Sequence, residues 1–401
     1  MLSLGTAGMA QADSEEIAEL RAMIAAQQQQ LILMQEKLDS ISANVAENSN
    51  KAAEANQKTE ILAENLEEQA EDRKPVSRTS IGGYGELHAN LLDGTNTEDK
   101  NSIDFHRFVL FFGHEFNDRL RFFSEVEVEH ALSGDGKPGE VEIEQAYIEY
   151  DLNQNNQFRA GLFLVPVGII NETHEPNTFY GVERNPIEKN IIPSTWWEGG
   201  VSVNGSFADG ISYDFAATSG LNTSAESGYA IRKGRQKVAK AEFNSGAYTG
   251  RLRWLGLPGL ELGLTAQYQV DITQENDPTA GGATLMETHL SWQTDTFSLR
   301  ALYASWSLDG TGPAAIGADQ QTGWYIEPNW RFNPQWGIFA RYNAWDNQAG
   351  DRLDSEYTQW DAGVNFWLHP NVVFKLDYQS QNAPVGTKSY DGWNIGVGYQ
   401  F

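Results

Sequence analysis

Two hydrophobic periods divide the chain. Between Ile17 and Leu66 a seven-residue repeat runs without a slip: Ile17, Ile24, Leu31, Leu38, Val45, Ala52, Thr59 and Leu66 form one series, and Leu20, Gln27, Met34, Ile41, Asn48, Ala55 and Leu62 the other. From Ile17 to Val45 this seam is apolar except at Gln27, which predicts a coiled coil over residues 13–74 that associates with identical copies. The seam weakens after Asn48. Pro75 cannot continue a helix, so residues 75–79 read as a linker. From residue 80 to 401 the period drops to two. The stretch "WNIGVGYQF" places Trp393, Ile395, Val397, Tyr399 and Phe401 on one face and Asn394, Gly396, Gly398 and Gln400 on the other, as in a strand with one face in lipid.

The connections between these strands alternate in length. Short ones fall at 116–118, 153–156, 208–210, 257–259, 294–296, 333–335 and 369–371. Longer polar stretches fall near 91–102, 132–140, 166–195, 219–236, 272–282, 308–321, 347–356 and 380–390. Seven short and eight long connections make sixteen strands, and tight turns on one side with long loops on the other are the rhythm of an outer-membrane barrel. The expected fold is therefore an all-β transmembrane barrel of about sixteen antiparallel strands behind an N-terminal α-helical coiled coil. An even strand number puts both barrel ends on the periplasmic side, with the coiled coil. A β-sandwich rarely carries so many strands with this rhythm.

If apolar residues face lipid, their neighbours face the interior. In "DRLRFFSEVEVEH" this sends Arg119, Arg121, Glu125, Glu127 and Glu129 inward, and the same parity turns in Arg159, Arg251, Arg253, Arg300, Arg341 and Lys375. Arg107 sits on a strand that is apolar on both parities. Charges facing lipid near the midplane cost about 2–4 kcal/mol for Arg or Lys, so these residues line a hydrated lumen. For any one of them the alternative is a wall salt bridge or a rim position.

The connection over 166–195 exceeds the length of ordinary loops and holds four prolines, isoleucines and aromatics. Folded into the barrel, it makes Glu172, His174, Glu175, Tyr180, Glu183, Arg184 and Lys189 candidate constriction residues beside the pore-lining Arg107, Arg121 and Arg159. The competing placement is an external cap or a latch across a subunit boundary. A second block, "IRKGRQKVAK", holds Arg232, Lys233, Arg235, Lys237 and Lys240 without an acid. It reads either as a positive vestibule or as a rim site for lipopolysaccharide phosphates.

Composition then narrows the classes. With 28 Lys plus Arg against 55 Asp plus Glu, the net charge of −27 makes nucleic acid an improbable partner. No apolar run reaches the length of about 18 residues that a spanning helix needs. There is no cysteine, hence no disulfide framework. "MLSLGTAGMAQA" ends in an A-x-A pattern, and residues 1–12 read as the remainder of a signal peptide. The chain lacks G-x-S-x-G, H-E-x-x-H and a glycine-rich phosphate loop, and its seven histidines are scattered, so no enzyme, metal or cofactor is expected. A barrel anchoring a coiled-coil tether to the cell wall is the structural alternative.

"GLFLVPVG", "EPNTFYGVERNPIEKNIIPSTWWEGG" and "IRKGRQKVAKAEFNSGAYTGRLRWLGLPGLELG" resemble the phosphate-selective porin O and P family of Gram-negative bacteria, over roughly residues 80–401. The resemblance implies a homotrimer of sixteen-stranded barrels in outer-membrane lipid, each with an infolded third loop. It also implies arginines and lysines that guide small inorganic or organic anions. Glu125, Glu127, Glu129, Glu142 and Glu144 depart from a purely cationic pathway.

Overall fold

A computed structural model describes residues 78–401. The coiled coil, the leader and most of the linker expected above lie outside the described residues. Sixteen strands follow in order. They are β1 (Thr79–Thr95), β2 (Lys100–Asn117), β3 (Leu120–Glu129), β4 (Val141–Asn153), β5 (Asn156–Leu164), β6 (Trp197–Ala208), β7 (Ile211–Ser219) and β8 (Gly246–Leu257). Then come β9 (Leu260–Gln269), β10 (Ala283–Gln293), β11 (Phe297–Leu308), β12 (Gln320–Arg331), β13 (Trp336–Asp346), β14 (Tyr357–His369), β15 (Val372–Asn382) and β16 (Ser389–Gln400).

Each strand pairs antiparallel with its sequence neighbours, and β1 pairs with β16, from Tyr84 opposite Gln400 to Thr95 opposite Ser389, closing the barrel. Closure leaves no strand edge and satisfies the backbone polar groups within the wall. The seam is finished by Phe401, whose main chain exchanges two 2.9 Å hydrogen bonds with Gly83. Its ring is 59% exposed and Trp393 and Ile395 point the same way, so the outward aromatic face predicted for this strand is present.

The strand count and the seven tight turns agree with the sequence reading, but three loop boundaries differ. The first long connection shrinks to residues 96–99, the last shrinks to 383–388, and the fourth lengthens to 220–245. The two that shrink do so because the hairpin ladder continues past the membrane, where neither face needs lipid. Leu92 opposite Lys100 and Asp93 opposite Asp391 are such pairs. Polar composition therefore marks the end of the apolar band, not the end of the strand.

Inside the wall the polar-in rule holds for most strands and fails on one side. On β10 to β13 the loop-side halves turn Leu285, Leu302, Trp306, Tyr325 and Trp345 inward, all at most 6% exposed. Ile187, Ile191, Ile192 and Trp196 of the long loop pack on them as one cluster. This dry core inside a barrel is what carries the loop.

Candidate functional site

Residues 165–196 leave β5, cross the interior and return into β6. Their hydrogen bonds reach the inner wall almost all round. On one side Tyr180 Oη bonds Ser298 at 2.6 Å, Arg300 donates to the Thr178 carbonyl at 2.7 Å, and the Trp306 indole donates to the Ile191 carbonyl at 2.9 Å. Four strands further round, on β15, Lys375 Nζ donates to the carbonyls of Phe179 and Gly181 at 2.8 and 2.9 Å, and the Val182 amide donates to Asp377 at 2.6 Å. Glu183 meets His88 at 3.2 Å and accepts from Asn90 at 3.1 Å, while Glu172 pairs with Arg251. Contacts spread over β1, β8, β11 and β15 place the segment within the lumen, not over it.

The segment is held in shape by a buried carboxylate. Glu188 accepts from the amides of Ile169 and Ile170 at 2.7 and 2.6 Å, from Asn185 at 2.9 Å and from the Tyr325 hydroxyl at 3.0 Å. Burial pushes its pKa up against these bonds. Four donors on one carboxylate fold the loop on itself and tie it to β12. Glu175 contributes through its carbonyl, which accepts from the Thr178 amide at 2.9 Å.

His174 is the loop's third anchor. It is buried between Glu125 at 3.2 Å and Glu144 at 3.4 Å, and its Nδ1 lies 3.1 Å from the Asn171 carbonyl. Burial alone would lower its pKa, but Glu125 and then Glu144 outweigh burial and the nearby Arg184, holding it up at about 10. The folded value lies above the free value of about 6.5, so this contribution is complete below 6.5 and is lost as pH rises through 10. Loop attachment should therefore weaken between about pH 6.5 and 10, read as a rise in proteolysis within 166–195, and His174→Gln should remove that pH dependence. A flat profile in the parent protein would contradict the ionised anchor.

Most wall arginines point inward and face a carboxylate; Arg119, expected to do so, is instead exposed in the β2–β3 turn and donates to the carbonyls of Asp151 and Leu152, because it precedes the first residue of β3. Arg107 lies 2.7 Å from Glu86 and 3.5 Å from Glu127, and Arg159 lies 2.6 Å from Glu149. Arg121 sits two residues from the β2–β3 turn, bound to Glu149 and Asp151 at 2.9 and 2.5 Å. It belongs to the short-turn end of the barrel and lies away from the loop. The wall alternative therefore describes Arg121 and Arg159 better than a cationic ladder does. Arg107 had no readable parity because β2 carries a bulge: two residues, Phe105 and His106, oppose Leu87 alone. The extra residue turns Asp104, His106 and Arg107 to one face.

The basic block divides in a similar way. Lys237 pairs with Glu142 and lies 3.3 Å from Glu140, while Lys233 and Lys240 are exposed. Arg232 and Arg235 instead reach the long loop. Arg232 donates to the carbonyls of Ser194 at 2.8 Å and Lys189 at 3.2 Å, and Arg235 to that of Thr195 at 2.6 Å. Arg184 donates to the Thr195 hydroxyl at 2.8 Å and to the His174 carbonyl at 3.2 Å. Three guanidiniums thus converge on residues 189–195, bonded to neutral oxygens, with the exposed ammonium of Lys189 on the same segment. Burial first, then the like charges of Arg235 and Arg184, pull the Arg232 pKa down to about 9. Mutual repulsion of this kind is relieved by an anion.

A barrel of sixteen strands, with charges inside and an infolded third long loop, is a diffusion channel by construction. The model of the family described as phosphate-selective porin O and P matches residues 82–401. The chain belongs to this family. A relative from Aquifex aeolicus (strain VF5), described as an uncharacterized protein, is 31% identical over 340 residues, covering 75% of this chain and 74% of its own. Among solved structures, OmpF of Salmonella typhi in complex with daunomycin superposes with a TM-score of 0.58 at 15% identity, over 80% of this chain and 97% of that one. The outer-membrane channel DcaP of Acinetobacter baumannii gives 0.56 at 14%, over 80% and 97%. An anion-selective porin from Comamonas acidovorans gives 0.54 at 12%, over 80% and 99%. These likenesses show the shared barrel. This porin is accordingly a channel of the bacterial outer membrane, and family and fold point away from an enzyme.

The sequence reading missed Glu188, because a lone glutamate in a long loop gives no sign of what it bonds. It also missed the meeting of His88, His106 and His130, which are far apart in the chain and brought together by the β1–β2–β3 ladder.

Proposed function

We propose that this porin passes small hydrophilic solutes without energy input and favours anions, inorganic phosphate and small carboxylates among them. The observation that carries the preference is the convergence of Arg184, Arg232 and Arg235 with Lys189 on one loop segment, their donors on carbonyls and a hydroxyl. Screening at physiological salt acts over about 8 Å, so charges at the narrowest section outweigh the chain's net negative total. In this reading the wall pairs such as Arg341 between Glu327 and Asp361 stiffen the barrel, while the long loop narrows it and sets the sign. Ion current through purified protein in a planar bilayer tests it, with a reversal potential toward the chloride equilibrium value as the expected result.

The reading extends to assembly. We propose further that residues 13–74 associate in the periplasm as a parallel helical bundle, as the uninterrupted heptads support, and that the barrels assemble as trimers. Trimers occur in this fold, the in-vitro folded OmpT of Vibrio cholerae being one. Removal of residues 1–74 should leave a barrel that still resists denaturation by detergent at room temperature and still conducts, because its ladder closes on itself. Loss of folding in the truncated chain would contradict the division at Pro75.

A further inference from the structure

At the loop end of β1 to β3, Asp104, His106 and His130 converge. Asp104 Oδ2 lies 2.8 Å from His130 Nδ1 and 3.2 Å from His106 Nδ1, and all three ligand atoms fall within 4.8 Å of one another. The geometry points to a binding site for a borderline divalent transition metal ion, zinc above all, held by these three residues at the mouth of the channel.

Ligands at about 2.0–2.1 Å from zinc in a tetrahedral arrangement stand about 3.3 Å apart. The Asp104–His106 separation of 3.2 Å already matches that value, the Asp104–His130 separation of 2.8 Å has to open slightly, and the two imidazole nitrogens lie within 4.8 Å of each other. Two neutral imidazoles with one carboxylate suit zinc and its neighbours, whereas magnesium and calcium select all-oxygen sites. Each of the three is partly exposed, so an ion can enter and a fourth position is left for water or a solute.

Two backbone features aim the ligands. The bulge at Phe105 and His106 breaks the alternation that would otherwise separate Asp104 from the inward side chains beyond it. At the end of β3 the consecutive non-glycine residues His130 and Ala131 both have φ of 55°. Left-handed backbone at such residues costs of order 1 kcal/mol or more and recurs at functional sites. Behind the site, His88 stacks on His106 with centroids 4.6 Å apart and planes 16° apart, and His88 in turn contacts Glu183 of the long loop. The cluster therefore connects the mouth to the loop through a single imidazole. Its other neighbours include Arg107, already bound to Glu86 and Glu127.

The test is titration of the full-length protein in detergent with zinc chloride by calorimetry, independent of any current. One zinc per chain is expected, undisturbed by excess magnesium. Loss of a single group that hydrogen-bonds a metal ligand costs about 10–100-fold in metal affinity, so loss of a ligand should cost at least that. His106→Gln and Asp104→Asn should each weaken binding by about tenfold or more. His130→Asn keeps a residue that tolerates the left-handed conformation and should weaken it equally, which guards against variants that fail to fold. His369→Gln, at the short-turn end, should leave it unchanged. Absence of zinc binding in the parent protein, unchanged affinity in folded His130→Asn, or displacement of zinc by equimolar magnesium would each overturn the site.

Discussion

Replacing Trp306 by alanine is expected to free the long loop and widen the channel while the barrel stays closed. Trp306 is fully buried, lies 6.3 Å ring to ring from Trp196 and donates to the Ile191 carbonyl. Removing a buried tryptophan costs about 3–5 kcal/mol, and the orphaned carbonyl adds about 1–3 kcal/mol. That loss falls on loop attachment, because the main chain of residue 306 keeps its pairing with Leu285 and Gln321 whatever the side chain. Single-channel conductance should rise and new protease cuts should appear within 166–195, with the heat-dependent gel shift of the barrel retained. Parent-like conductance together with a protease-resistant loop would contradict the segment's role as the narrowing element.

The second large effect is on selectivity. Arg184→Ala combined with Arg235→Ala removes two of the three guanidiniums that converge on residues 189–195, neither of which is ion-paired to a carboxylate in the contacts described above. A charge about 4 Å from a passing ion is worth about 1 kcal/mol even in bulk water, or roughly fivefold in relative permeability per charge. The double variant should therefore shift the reversal potential in a KCl gradient toward the cation value. Lys189→Ala should shift it further in the same direction. Arg121→Ala, at the other end of the barrel and engaged with Glu149 and Asp151, should shift it little. Equal shifts for Arg121→Ala and the double variant would remove the loop segment from its place as the selective element.

The fold was readable because both of its determinants are local. Period two shows which face meets lipid, and the turn rhythm counts the strands, so Phe401 could be placed on the outer face from nine residues. The site was readable only in part. Alternation shows that Arg159 and Arg251 avoid lipid, but the acids they meet arrive from a neighbouring strand or the loop, as Glu149 and Glu172 do, and no period reports that. Bulges erase the parity on which the reading depends: one extra residue at His106 realigns Arg107. The basic block looked free of acids because Glu140 and Glu142, which engage Lys237, stand just before and at the start of β4, almost a hundred residues earlier. The apolar patch inside β10 to β13 went unseen for a related reason. Leu302 and Trp306 alternate with Tyr303 and Ser305, and a strand apolar on both faces does not say which one carries a loop.

A reversal potential of the purified parent protein in a planar bilayer under a KCl gradient decides whether this is a passive channel whose sign is set at the long loop. Stable, voltage-independent steps with a reversal potential displaced toward the chloride equilibrium value are the predicted result. A closed bilayer, or a displacement toward the potassium value, would contradict it.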